Sequence, residues 1–390
     1  MLQSLEIRNY RNLRHLTIEK LGRVNLLLGK NNTGKTSILE AVAIYINRGS
    51  ADFILQLLDE RGENYVKYEK YLDRSDESTR EAAILKTLTS LFSNRKPLFD
   101  EKNSLMIGEL DQTLFGPLLA LDKRVAIRFV RYLEEFEDAP NGQPARRKRI
   151  YLEEGANEPD AILGLEIKAG KFSSPIPLRF FDRNRPLRSI GMSASSLFEE
   201  RSDNLQFVKT KNIERDINGS LWDKIALTES EDEVVNALKI IEPEIDRITF
   251  RTERERERIA VVKLKSSNDV IPLRSMGDGI NRILTIILAM VNCENGYLLI
   301  DEFENGLHYS VQEQLWEVIF SVADSLKIQV FATTHSYDCI DAFSAILNSG
   351  RYPKESGCMI RLDNYEGSIE ATLYNADEIQ ATTRVHVDPR

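Results

Sequence analysis

The chain has 390 residues, enough for two or three domains or for one large α/β domain carrying an insertion. With 42% hydrophobic and 29% charged residues it has the composition of a globular protein, which excludes a disordered chain. The net charge of −9 argues against coating nucleic acid through bulk charge alone.

At the start, Met1-Leu-Gln-Ser-Leu-Glu-Ile7 lacks the basic beginning and long apolar core of a signal peptide. Residues 2–7 alternate into a short strand, residues 8–12 read as a turn, and residues 13–18 as a second strand. After Gly22 the run Arg23-Val-Asn-Leu-Leu-Leu28 is largely apolar and bounded by glycines, which suits a fully buried strand. A glycine-rich loop follows directly. Ile38, Leu39, Val42 and Ile46 then take helical spacing over 37–46.

From about 50 to 120, Phe53, Leu57, Tyr65, Tyr68, Tyr71 and Leu72 stand among many charges and predict amphipathic helices, continued over 75–92. Residues 124–131, 148–152, 163–169 and 177–181 predict strands, and 195–245 reads as mainly helical, including 231–241. Arg146-Arg147-Lys148-Arg149 offers a basic stripe for phosphates. A solvated loop after the turn at 140–144 is the simpler reading. Residues 245–264 resemble a hairpin whose alternating Arg and Glu over 251–258 suit a salt-bridged surface better than a phosphate contact.

Past Pro272 the pattern predicts a helix over 278–291, a buried strand over 297–300, a helix over 311–326 and a strand over 328–332. The longest apolar runs, such as 283–291, have the length of buried helices and fall short of the ~20 residues that span a bilayer. Cys293, Cys339 and Cys358 show neither metal spacing nor a disulfide framework, so a reducing cytoplasm is the expected home. The chain opens and closes with α/β units around a long middle that lacks heptads and internal repeats.

The chemistry sits at the ends. Gly29-Lys30-Asn31-Asn32-Thr33-Gly34-Lys35-Thr36 fits G-x-x-x-x-G-K-[ST], and it lies between a strand and a helix as a phosphate loop must. Its glycines let backbone N–H groups curl around phosphates, and the positive end of the helix points at them. Lys35 is expected to reach the β- and γ-phosphates of ATP, and the Thr36 hydroxyl to ligate Mg²⁺; Ser37 completes the nucleotide-binding run. Asp301 ends an apolar strand, where a carboxylate meets the metal at the carboxyl edge of a sheet. Glu302 follows on the other side of the chain, placed to polarise an attacking water. Taken alone, the acidic pair could equally cap the next helix.

With Thr334-His335-Ser336 downstream, this order resembles the ABC-type ATPases. Leu273-Arg-Ser275-Met-Gly277-Asp-Gly279 resembles their signature loop L-S-x-G-x, with one residue inserted after Leu273. The resemblance implies that Ser275, Gly277 and Gly279 bind the γ-phosphate of ATP held by a second copy. It also implies that His335 contacts the γ-phosphate. His308 stands where these proteins carry the D-loop aspartate and resembles the Leu-His of the OLD (overcoming lysogenization defect) ATPases; a packed histidine at a helix start is the alternative. Gln56 and Gln206 are candidates for the Q-loop glutamine, with no context that selects either.

The long separation of Thr36 from Asp301, together with the opening Ile7-Arg-Asn-Tyr-Arg-Asn-Leu13, is similar to the RecF, SMC and OLD lineage. The match is best to the stand-alone OLD-like ATPases, over residues 1–50 and 270–345. It implies an α/β fold, an ABC-type P-loop ATPase head with a mixed sheet and a large inserted helical and β middle region. The head would take residues 1–50 and 246–390 and the insertion 51–245. OLD proteins proper append a Toprim nuclease. The fifty residues beyond Ile340 hold Asp363 but no acidic residue followed by D-x-D, so that domain is expected to be absent. The resemblance then implies a slow ATPase that forms a head-to-tail homodimer on ATP and controls a separately encoded effector nuclease in anti-phage defence. A RecF-like DNA-binding repair ATPase is the alternative, which leaves DNA open as a ligand.

Overall fold

The computed structural model describes residues 1–68, 77–110, 123–137, 146–153, 158–182, 204–210, 215–254, 257–266 and 269–384. The chain divides into two compact units: Leu5–Thr17 with Glu40–Ser202, and Met1–Ser4 with Ile18–Leu39 and Asp203–Arg390.

The first of these carries a seven-stranded sheet. Its path runs β2 (Leu13–Ile18), β1 (Leu5–Tyr10), β4 (Leu105–Gly108), β5 (Arg124–Glu137), β7 (Ile162–Ala169) and β8 (Phe172–Pro177), with β6 (Arg146–Tyr151) paired to β5. The turn between β1 and β2 is held by Arg11, whose buried guanidinium pairs with Glu40 at 3.2 Å and Glu63 at 2.7 Å. Residues 146 and 147, expected as loop, join the strand expected over 148–152. Its register sets Arg149 opposite Glu134 and Lys148 opposite Glu135, and opposite charges facing across two strands stabilise the pairing. Residues 177–181, expected as a strand, form a 3-10 turn over Leu178–Phe181 after Pro177. Tyr71, Leu72 and the turn at 140–144 lie outside the described residues.

The other unit is built on a six-stranded mixed sheet in the order β16 (Ser368–Tyr374), β15 (Gly357–Tyr365), β3 (Val24–Gly29), β14 (Gln329–Thr333), β13 (Tyr297–Ile300) and β9 (Leu205–Val208). All neighbours are parallel except the β15–β16 edge pair. Strands β3, β13 and β14 are buried at every position, which is why they read as continuous apolar runs. Two of their polar intruders, Asn25 and Gln329, are fully paired, as burial demands. Asn25 exchanges hydrogen bonds with Gly22 and donates to the Val330 carbonyl at 3.1 Å. Gln329 accepts from Leu2 N and donates to the carbonyls of Leu2 and Gly22.

Helices Tyr309–Ser325 and Tyr337–Leu347 pack through Trp316, whose ring stacks on Phe303 at 4.2 Å and meets Phe343 edge-on at 5.0 Å. The hairpin expected over 245–264 forms as β10 (Ile245–Arg254) and β11 (Glu257–Leu264), and β12 (Val270–Pro272) adds a third strand. Arg258 on β11 pairs with Asp223 of the helix Arg215–Ile225. The expectation of a mainly helical 195–245 is corrected at β9: four residues show no readable period, and parallel pairing to β13 makes them a strand. The helices expected there are Arg215–Ile225 and Glu229–Ile241. No helix among the described residues is long and apolar enough to cross a membrane.

Candidate functional site

Three parallel neighbours, β3, β14 and β13, end on the same edge of the six-stranded sheet. From β3 leads the loop at 29–34, from β14 the turn Thr334–Ser336, and from β13 the pair Asp301–Glu302. The carboxyl edge of a parallel sheet is where such folds bind ligands.

The loop is shaped by its glycines. Gly29 has φ +143°, and a Cβ there would lie 2.4 Å from the Leu362 carbonyl oxygen. Gly34 has φ +87° and turns the chain into the helix Lys35–Ile46, whose Ile38 N–H donates to the Gly34 carbonyl at 2.9 Å. Thr33 Oγ1 closes the loop by donating to the Lys30 carbonyl at 2.9 Å, while Lys30, Asn31 and Asn32 are exposed and Ser37 is buried.

Lys35 is only 6% exposed. Its ammonium donates to the carbonyls of Gly29 at 2.6 Å and Lys30 at 3.0 Å, and lies 3.4 Å from His335 Nδ1. Burial pushes its pKa down to about 8, against the attraction of Asp301, Glu304 and Glu302. Burial, and then the charge of Lys35, lowers the pKa of His335. An ammonium has no acceptor, so Nδ1 of the neutral ring accepts from Lys35 and the ring proton sits on Nε2. His335 therefore presents an N–H donor.

A pH dependence follows. The ammonium is the form that binds phosphate, and its neutral fraction grows above pH 8. Phosphate arriving beside it restores the charge, so binding takes up a proton. Affinity for Mg²⁺-free ATP is expected to fall about tenfold between pH 7.5 and 9. Titration calorimetry in two buffers of different ionisation enthalpy measures the uptake; a flat affinity with no proton uptake refutes it.

Opposite Lys35, the Asp301 carboxylate accepts from Thr36 Oγ1 at 3.2 and 3.3 Å and from Thr333 Oγ1 at 2.8 Å. Thr333 Oγ1 also accepts from Glu302 N at 2.8 Å. A hydroxyl beside a carboxylate is a set of hard oxygen donors of the kind Mg²⁺ takes from a protein, with phosphates and water completing its shell. No group of three or more His, Cys, Asp or Glu able to hold a metal occurs among the described residues. Glu302 is half-buried with φ +49°, a conformation costly for a residue with a side chain and held here by its neighbours.

Ser275, Gly277 and Gly279 are placed around the start of the helix Asp278–Val291. A Cβ on Gly279 would lie 2.8 Å from the Gly306 carbonyl oxygen, so this loop packs on the turn that follows Asp301–Glu302. Among the described residues no hydrogen bond joins Ser275, Gly277 or Gly279 to residues 29–37. His308 caps the helix Tyr309–Ser325, its side chain accepting from Ser310 N, with its ring 4.3 Å from that of Tyr309. Gln56 donates to Glu60 on its own helix, and Gln206 lies in β9 opposite Leu298.

Three residues of the site escaped sequence reading. Thr333 orders Asp301 and Glu302. Glu304 accepts from Thr334 Oγ1 at 2.8 Å and His335 N at 2.7 Å. Arg282, 1% exposed on the helix after Gly279, donates to the carbonyls of Lys209 at 3.0 Å, Asp301 at 2.8 Å and Glu302 at 3.4 Å. The one available signal was an arginine on the apolar face of a buried helix, a place that a cation occupies only with partners.

Comparison with known proteins shows the family of the chain. Residues 1–139 and 182–340 match the model of the AAA ATPase domain family. The chain is similar to an ATP/GTP phosphatase of Helicobacter pylori, 22% identical over 387 residues and 94% of each chain. It is also similar to the DNA replication and repair protein RecF of Rickettsia prowazekii, 22% identical over 374 residues, covering 88% of this chain and 96% of that one. Among solved structures, an SMC head bound to the C-terminal winged-helix domain of ScpA aligns over 97% of this chain and 99% of that one, with a TM-score of 0.48 and 11% identity.

Proposed function

The chain belongs to the AAA ATPase domain family and is an ATPase, and we infer that it is of the ABC type. From that premise we propose that it is a slow, dimer-dependent switch that binds ATP through residues 29–37, with Lys35 on the phosphates. Thr36 and Asp301 hold Mg²⁺, which supplies charge neutralisation on the phosphates when bound. Glu302 takes the proton of the attacking water. Lys35 and the Nε2–H of His335 meet the charge that develops on the phosphoryl oxygens. The observation that carries this reading is the Thr36–Asp301 contact at 3.2 Å, which joins two segments 265 residues apart at one sheet edge.

The site is completed by Ser275, Gly277 and Gly279 of a second copy arriving head to tail. What supports this is a serine and two glycines at the start of the helix Asp278–Val291, where backbone N–H groups and the helix dipole favour an anion. Dimer closure on ATP then moves the chain between 51 and 245, which passes the change to a separately encoded effector nuclease in the cytoplasm, in defence against phage. The net charge of −9, and the acidic neighbours Glu135 and Glu134 that Lys148 and Arg149 meet across the sheet, favour a protein partner. The likeness to RecF over most of the chain favours a second reading, a repair ATPase that clamps DNA. Salt-sensitive DNA binding that ATP strengthens would select that reading.

Subunit mixing tests the two-copy site. Lys35→Ala and Ser275→Ala are each expected to lose nearly all turnover. In the mixed dimer, one of the two sites receives Lys35 from one copy and Ser275 from the other, both intact. An equal mixture should recover roughly a quarter of the parental rate. Mixed dimers with no recovery would overturn the head-to-tail arrangement.

A further inference from the structure

We propose that Glu304 is a positioning residue for His335, fastening the turn after β14 so that the imidazole is held at Lys35. The role rests on the reading of His335 given above. The two carboxylate oxygens of Glu304 serve different donors. Oε2 accepts from Thr334 Oγ1 at 2.8 Å, and Oε1 accepts from His335 N at 2.7 Å. Both bonds fall on consecutive residues of one turn. Thr334 is fully buried, and its Oγ1 accepts in turn from Ser336 N at 3.0 Å. Ser336 then caps the next helix by accepting from Cys339 N at 3.4 Å. The side chain of one glutamate thus sets the path of the chain on both sides of His335.

Glu304 can do this because its own backbone is anchored. The preceding Phe303 is fully buried, donates its N–H to the Thr333 carbonyl at 2.8 Å and stacks on Trp316 with the rings 9° apart. The clamp therefore ties a turn to a rigid aromatic core. A carboxylate suits the place, since two donors converge on it: the His335 N–H, and the Thr334 hydroxyl, whose oxygen is engaged by Ser336 N. A glutamine keeps the bond from His335 N. It must then turn its NH₂ toward Thr334 Oγ1, which already accepts from Ser336 N, so that the threonine proton loses its acceptor. The groups that face His335 are Lys35, Glu304, Glu302 and Asp301, so the negative charge of Glu304 also steadies the Lys35–His335 contact.

The test is steady-state ATP hydrolysis by Glu304→Ala, Glu304→Gln, His335→Ala and the Glu304→Ala/His335→Ala double variant. His335→Ala is expected to lower kcat about 100-fold, and Glu304→Ala at least tenfold, each with KM within about threefold of the parent. The double variant should fall no more than about twofold below His335→Ala, because Glu304 acts through the missing ring. Glu304→Gln should recover part of the loss. Should Glu304→Ala fail to fold, Thr334→Val removes only the hydroxyl of the clamp, and its kcat should drop with the same lack of additivity. Multiplying losses in the double variant, or a parental kcat in Glu304→Ala beside an impaired His335→Ala, would overturn the positioning role alone. A parental kcat in His335→Ala would overturn the reading beneath it.

Discussion

Replacing Glu302 with glutamine is expected to lower kcat by about 10²- to 10⁴-fold while ATP binding persists. The amide matches the carboxylate in size and cannot take a proton from water. What holds this residue in place is its backbone. Its N–H donates to Thr333 Oγ1 at 2.8 Å, and its carbonyl lies 3.4 Å from the Arg282 guanidinium. Those anchors keep φ at +49° against a strain of about 1–3 kcal/mol, and the substitution leaves them untouched. Lys35, Thr36 and Asp301 also remain, so nucleotide and metal should bind as before. An ATP-bound dimer should then accumulate and elute early in gel filtration. A variant that turns over ATP at the parental rate would remove Glu302 as the base.

Arg282→Leu is expected to destabilise the protein by about 2–4 kcal/mol, and two opposing effects decide the sign. Burying a guanidinium costs several kcal/mol, and that burial lowers the Arg282 pKa despite the nearby carboxylates of Asp301, Glu302 and Glu304. Leucine removes this penalty. It also leaves the Lys209 carbonyl without its guanidinium donor, and the Asp301 carbonyl with Thr210 Oγ1 at 3.4 Å in place of a charged donor at 2.8 Å. Buried carbonyls stripped of charged donors cost about 1–3 kcal/mol each, and the shorter side chain leaves a void beside them. The losses exceed the relief. A fall in the urea midpoint measures the effect, and ATP should restore less stability to the variant than to the parent. Equal midpoints would show that the end of β13 stands without Arg282.

The fold and half of the site are legible because they are local. Eight consecutive residues, 29–36, define the phosphate loop, since spacing along the chain is what wraps backbone N–H groups around a phosphate. The runs 24–28 and 297–300 declare themselves as buried strands because a parallel strand covered on both faces must be apolar at every position. Asp301 and Glu302 could then be placed at a strand end with no knowledge of neighbours, and the structure sets Asp301 against Thr36.

Other features depend on what lies alongside, and no local pattern encodes that. Leu205-Gln-Phe-Val208 is too short to show a period and becomes a strand only by pairing with β13. Residues 146 and 147 read as loop until β5 is set alongside, with Glu135 and Glu134 across from Lys148 and Arg149. Thr333, Glu304 and Arg282 have ordinary sequence surroundings, and their roles come from partners that the order β3–β14–β13 brings near. Motif chemistry is written along the chain, whereas the hydrogen bonds that hold it rigid join segments whose proximity is set by sheet topology. Residue types alone therefore named the groups proposed to meet the phosphates, and only the folded chain chose those that hold them still.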